Sequence, residues 1–328
     1  MAGLVRQLER RQVALFLAAI GVGALAGWLA PASAPVLSLT VTPVLGLLLF
    51  ATFLGVPLAS VGRSFLDLRF LGAVVAVNFV VAPAVVFGLS RFVVADRALL
   101  IGVLMVLLTP CVDYVIVFTG LAGGAGDKLL AATPLLMLLQ IVLLPVYLLL
   151  FAGPEAAGLI DVAPFLEAFL LLILLPLAAA ALVQRLARRL AAGRAVEALM
   201  RALMVPLMMA TLAVVVGSQV AAVGAQAGTL LAVVPIYVAF LIVMVGVGTV
   251  AARLVRLDAA AGRALVFSGA TRNSLVILPL ALALPPSLAL APLAVVTQTL
   301  VELVGMVILV RLVPRLLPHP VPAAAPPR

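Results

Sequence analysis

The sequence predicts an all-α, polytopic membrane protein, and three observations predict it. Of the 328 residues, 66% are hydrophobic and 9% are charged, with a mean hydropathy of +1.40. A soluble domain of this length has no use for so much apolar side chain. The apolar mass is Leu, Ala and Val in runs of about 20 residues, the length of a bilayer-crossing helix. Aromatics are only 5%, which disfavours a β-barrel with its aromatic girdles. The basic residues gather between the runs, as they do where they set orientation in a membrane.

Ten spans follow in order. Span 1 (12–30) is preceded by Arg6, Arg10 and Arg11 and ends at Pro31. Its Ala32–Ala34 end imitates a signal-peptide cleavage site. Pro35 would follow the cut and the run is long enough to span, so it is read as a retained helix. Spans 2 (36–60), 3 (70–90) and 4 (98–122) follow, the last closed by Gly123-Gly-Ala-Gly126. Span 5 (129–151) ends at Gly153-Pro154. Spans 6 (163–184), 7 (198–221) and 8 (229–252) come next, and span 9 (262–284) stops at Pro285-Pro286. Span 10 (289–312) leads to a Pro/Ala-rich tail at 318–328, read as disordered.

Sorting the basic residues by side supports this count. The N-terminus, the even-to-odd connections and the C-terminus hold 17 of the 20 Lys and Arg residues. The opposite side holds Arg91 and Arg97, and the membrane holds Arg272. Both termini are therefore expected in the cytoplasm. The net charge of +9 belongs to topology, so a nucleic-acid partner is not expected. Nineteen Arg against the single Lys128 suits a GC-rich bacterial genome, hence a bacterial inner membrane. One Cys and one His (His319) exclude an internal disulfide and leave no metal cluster or cofactor site to expect. No enzymatic constellation is seen.

A shift of 162 residues lays Thr109-Pro110-Cys111 in span 4 on Thr271-Arg272-Asn273 in span 9. It lays Gln140 on Glu302 and brings Pro43 within one residue of Pro206. Two five-span repeats of odd length must be inverted, so that broken spans 4 and 9 cross at the midplane. The repeats are 1–160 and 161–317.

The most informative stretch is Phe267–Ser274, F-S-G-A-T-R-N-S. It sets Arg272 about ten residues from the nearer membrane face, where insertion costs at least ~3 kcal/mol. Such a group needs a carboxylate, a substrate or a water-filled cavity. Asp113 and Glu302 are the available carboxylates, and the ion pair is the structural alternative to a binding role. Ser268 and Thr271 suit freed backbone groups, and Asn273 offers an amide. In span 4, Pro110 breaks the helix. Thr109-Pro110 resembles an N-cap and first helical position, which would put Cys111 in the first turn of a second half-helix, where the dipole favours its thiolate. A simple proline kink with a packed cysteine is the alternative. Glu302, with Gln298 one turn earlier and Thr299 nearby, is the leading proton carrier. Gln140 is expected to face the same cavity; Asn78 either does so or bonds a neighbouring helix. Glu167 reads as interfacial.

At these residues the chain resembles the bile acid/sodium symporter superfamily, and within it the arsenite efflux permeases. Thr109-Pro110-Cys111 is similar to the permeases' A-P-C element, Thr271-Arg272-Asn273-Ser274 to A-R-N-N, and Leu300-Val301-Glu302 to an apolar-apolar-Glu element. The resemblance implies functional roles for Cys111 and Glu302, and a core domain (spans 3–5 and 8–10) moving against a panel (spans 1, 2, 6 and 7). The chain also departs from the pattern. Asp113 is an extra acid, and Val276 stands where the permeases have glutamate. Against the sodium-coupled F-E-x-G-x-Q-N-S, Ser268 replaces the sodium-binding glutamate and Arg272 the glutamine. A fixed cation at that place would substitute for sodium. The expected function is proton-coupled efflux of arsenite or a related trivalent metalloid, with uptake of an organic anion through Arg272 as the alternative.

Overall fold

The computed structural model describes residues 12–55, 67–112, 114–154 and 169–318. They are helices and their connections, with no strand among the described residues. Helices α1 (Gln12–Leu29) and α2 (Ala34–Leu54) are joined by one 3-10 turn. Asp67 caps α3 (Leu68–Ala76) by accepting from the Phe70 amide, and a π-helical turn (Val77–Val81) leads on to α4 (Ala82–Ser90). Asp96 caps α5 (Arg97–Leu107), which breaks before α6 (Val115–Leu121). Then come α7 (Gly126–Ala152), α8 (Leu175–Ala187), α9 (Ala191–Ala225) and α10 (Val234–Leu254). Asp258 caps α11 (Ala259–Ala270), which breaks before α12 (Ser274–Leu282), and α13 (Leu290–Leu316) follows.

Among the described residues six helices are long and apolar enough to cross a bilayer: Pro31–Leu54, Leu68–Val93, Gly126–Ala152, Ala191–Ala225, Ala227–Leu254 and Pro286–Leu316. Spans 4 and 9 do not count among them because each is broken in two. The start of span 6, Asp113, Glu167, the residues before Gln12 and all but the first residue of the 318–328 tail lie outside the described residues. One boundary is corrected. Helix α9 begins at Ala191 where span 7 was expected to begin at 198. Arg194, Glu197 and Arg201 end the apolar run, but Ala, Leu, Met and Arg are strong helix formers and the backbone coils on past the hydrophobic boundary.

Two groups of helices pack internally. Helices α1, α2 and α8 pack on α9. A Cβ on Gly27 would lie 2.1 Å from the Gly217 carbonyl oxygen, so only glycine permits the α1–α9 crossing. In the second group α10 packs on α11 and α13, α13 on α5 and α12, and α7 on α5, α6 and α11. One polar staple fastens the second group. Lys128 Nζ lies 2.8 Å from Asp67 Oδ2 and 3.6 Å from Asp258 Oδ2, joining the N-terminal ends of α3, α7 and α11. The hydrogen bond from Lys128, helped by the Phe70 amide, holds the Asp67 carboxyl below its usual range.

Candidate functional site

The two breaks meet. The linking segments lie antiparallel with Pro110 opposite Arg272. The Cys111 amide donates to the Thr271 carbonyl at 3.2 Å, and the Asn273 amide to the Thr109 carbonyl at 2.9 Å. In this pairing the central residues turn their own N–H groups away from each other. Pro110 has no N–H to leave unmet. The Arg272 N–H donates to Glu302 Oε2 at 2.8 Å. Lipid tolerates a broken helix only where such partners satisfy the backbone, and the bridge supplies them.

The threonines close the helices that end here rather than opening new ones. Thr109 Oγ1 donates to the carbonyls of Met105 and Val106 at 2.9 and 3.0 Å, and Thr271 Oγ1 to Phe267 at 2.7 Å. The expectation that Thr109 caps a helix starting at Pro110 is thereby corrected. The hydroxyl takes the i−4 carbonyl of the preceding helix, and α6 waits until Val115. Cys111 lies in the extended bridge, buried, outside any first helical turn.

Arg272 is fully buried. Its Nη2 donates to Asn78 Oδ1 at 2.8 Å, to the Ser268 carbonyl at 3.2 Å and to the Gly269 carbonyl. Its Nη1 donates to the Leu107 carbonyl at 3.3 Å, and the Phe240 ring centroid lies 5.1 Å from Cζ. These carbonyls belong to the last turns of α5 and α11, the negative ends of both helices. Among the described residues the guanidinium makes no ion pair. Glu302, one expected partner, reaches the main-chain amide of Arg272 instead; Asp113, the other, is outside the described residues. Asn78 sits in the π-helical turn and is itself held, donating to the Val74 carbonyl and Ser268 Oγ at 3.0 Å each. Such π-turns recur at functional sites.

On the other side of the bridge, Glu302 of α13 collects neutral donors. Its Oε1 accepts from the Tyr114 hydroxyl, and its Oε2 from Gln298 Nε2 at 2.6 Å as well as from the Arg272 amide. Thr299 bonds back to Val295 within its own helix and takes no part. A third cluster centres on Met137. Its sulfur accepts from Gln140 Nε2 at 2.8 Å and faces Asn273 Nδ2 at 3.7 Å. Five buried side-chain oxygens have no hydrogen-bond partner among the described residues: Thr119 Oγ1 and, around the bridge, Gln140 Oε1, Asn273 Oδ1, Ser274 Oγ and Gln298 Oε1. Buried polar atoms are ordinarily hydrogen-bonded, so these positions are exceptions to the pattern of the rest of the site.

Two participants were not assigned in the sequence. Tyr114 lies inside span 4 and carries no assigned role, although a buried tyrosine hydroxyl always raises the question of its partner. Met137 carries no sequence signal, since methionine is ordinary core filling.

The sequence matches the family model of the Sodium Bile acid symporter family over residues 42–227. A search of curated proteins finds no match. The matched stretch holds Pro110 and Cys111; Arg272 and Glu302 lie beyond its end. It covers more than half of the 328 residues, and the chain belongs to the sodium bile acid symporter family, a family of membrane transporters.

Proposed function

We propose that the protein is a secondary active transporter working by alternating access, which uses protons to expel arsenite or a related trivalent metalloid. The observation that carries this is the setting of Glu302: buried, and held by Tyr114, Gln298 and a main-chain amide, all neutral donors. A fixed cation against the carboxylate would lock its charge, whereas neutral donors leave it able to load and release a proton. Arg272 supports the same reading from the other side. Its permanent charge already meets the negative ends of two half-helices, a task that a bound sodium could otherwise perform.

Substrate binding falls to Cys111, Asn273 and Thr109, with Arg272 behind them, and Asp113 joins Glu302 in proton coupling. Gln140, Gln298, Thr271 and Ser268 support the site. Arsenous acid is largely neutral near neutral pH, so a soft thiolate grips it better than charge does. One thiol can also release it.

The architecture proposed with this function has ten spans, inverted repeats at 1–160 and 161–317, and both termini in the cytoplasm of a bacterial inner membrane. The 162-residue offset supports it: the bridge pairs Pro110 with Arg272, and Thr109 and Thr271 bond back to Met105 and Phe267, positions also 162 apart. The internal packing of α1, α2, α8 and α9 supports the panel.

Arsenite resistance of a sensitive bacterial host tests the proposal. Wild type should confer resistance, and Cys111→Ser and Glu302→Gln should each lose it. Unaltered resistance in both variants, or none with wild type, refutes it. The family name favours a second reading, sodium-coupled organic-anion symport. Substrate uptake driven by a sodium gradient and not by a proton gradient, in reconstituted vesicles, would favour that reading. Arg272 speaks against it as the anion's receptor, because its terminal nitrogens are already committed to main-chain carbonyls and Asn78.

A further inference from the structure

A groove of about 580 Å³ runs along the outer face of the molecule between α10 and α13, lined only by apolar side chains and Gly305. Its rim is open: Ile242 is 66% exposed, Val304 56% and Ile308 58%. Its floor is cut by glycine, since a Cβ on Gly305 would lie 2.2 Å from Leu241 Cδ2. The two helices run parallel and are tied at both ends. Tyr237 donates to the Ala294 carbonyl at 3.0 Å, and Arg253 to the Leu316 carbonyl at 3.1 Å.

The second of these ends is basic. On α13 the groove stripe passes through Val304, Ile308 and Leu312, and the same helical spacing continues to Arg311 and Arg315. Both arginines are exposed, and so is Arg253 on α10. Neither helix carries an exposed carboxylate. An apolar slot ending in three cations fits an amphiphile with a hydrocarbon chain and an anionic head.

We infer that this groove binds an anionic phospholipid, with an acyl chain against Ile242, Val304 and Ile308 and the headgroup phosphate on Arg311 and Arg315. A zwitterionic lipid would fill the slot but bring a phosphate already balanced by its own ammonium, with no net counter-charge for the arginines. Juxtamembrane cations of this kind favour anionic over neutral headgroups by roughly fivefold each. The groove lies on the helix that carries Glu302, on a different face from the carboxylate.

Tryptophan quenching by brominated lipids tests the inference without any transport readout. The sole native tryptophan, Trp28, lies on α1 and is exposed, so the wild type reports ordinary boundary lipid. A groove reporter is Ile242→Trp in a Trp28→Phe background, with Ile308→Trp as a second reporter should the first fail to fold. Each is reconstituted in phosphatidylcholine vesicles containing brominated phosphatidylglycerol or brominated phosphatidylcholine. The groove reporter should show a phosphatidylglycerol preference of about fivefold or more. Arg311→Gln with Arg315→Gln should lower it at least about fivefold, and Trp28 should show none. Equal quenching by the two lipids in the groove, or the same preference at Trp28, overturns the proposal. So does a groove reporter that neither lipid quenches, the sign that a second copy of the chain covers the face.

Discussion

The two helix breaks share a backbone and differ in chemistry. At one, Thr109, Pro110 and Cys111 link α5 to α6; at the other, Thr271, Arg272 and Asn273 link α11 to α12. Each contributes one amide and one carbonyl to the bridge, and each closes its first half-helix with a threonine hydroxyl. At the centre the likeness stops. Pro110 brings no N–H and no charge, while Arg272 brings an amide that binds Glu302 and a cation that binds four acceptors. A matched frame thus has an uncharged centre at one break and a charged one at the other, and the charged centre lies beyond the residues matched by the family model.

The largest expected effect breaks this contrast at its active side. Arg272→Met leaves the carbonyls of Leu107, Ser268 and Gly269 and the Asn78 amide oxygen without their donor in a buried place. Each buried acceptor left without its donor costs about 1–3 kcal/mol, and four are left here. Thermal unfolding in mild detergent should fall by well over the shift seen for Pro110→Ala, which should cost about 1 kcal/mol or less. Equal losses would mean that the two breaks are not different in kind.

Next comes Glu302→Gln. The side chain is isosteric but places an amide NH₂ where a carboxylate oxygen accepted, at a cost of about 1–3 kcal/mol. The fold should survive, while proton-driven transport in reconstituted vesicles should be lost. Tyr114→Phe and Asn78→Ala separate the two flanks of Arg272: the first removes the hydroxyl that donates to Glu302, the second an amide that makes three buried hydrogen bonds, each bond worth about 1 kcal/mol. A double-mutant cycle of Tyr114→Phe with Glu302→Gln should be non-additive by at least about 0.5 kcal/mol, and one of Asn78→Ala with Glu302→Gln nearly additive. The reverse pattern would place Glu302 and Asn78 in one network.

The smallest effect lies away from the bridge, at the staple. Asp67 has its folded pKa below the ordinary 3.8, so its contribution is present above that value and is lost as pH falls through the lower folded one. Asp67→Asn should therefore lower the melting temperature slightly at neutral pH and by progressively less in acid. A deficit that stays constant down to pH ~3 would exclude the linkage.

Much of this could be read from the residues. Long Leu/Ala/Val runs leave little choice but helices in lipid, and a Pro or an Arg inside such a run marks where a helix must be interrupted. The orientation of Arg272 was not legible. The sequence offers it two carboxylates, but its observed partners are mostly main-chain carbonyls, and every residue has one of those. Asn78 was only half legible, because a π-turn has no composition of its own. The N-terminal extension of α9 was hidden because hydropathy and helix propensity part company at Arg194 and Arg201.

The main-chain character of the bridge has a consequence for how such proteins change. The amide and carbonyl groups that join the segments near Pro110 and Arg272 are the same whatever side chains stand there. Residues 109–111 and 271–273 can therefore be replaced, within the limits of volume and charge, without dissolving the crossing that presents them. Under the proposed function, a substrate site mounted on such interchangeable parts would acquire a new cargo in a few substitutions, with the crossing itself kept.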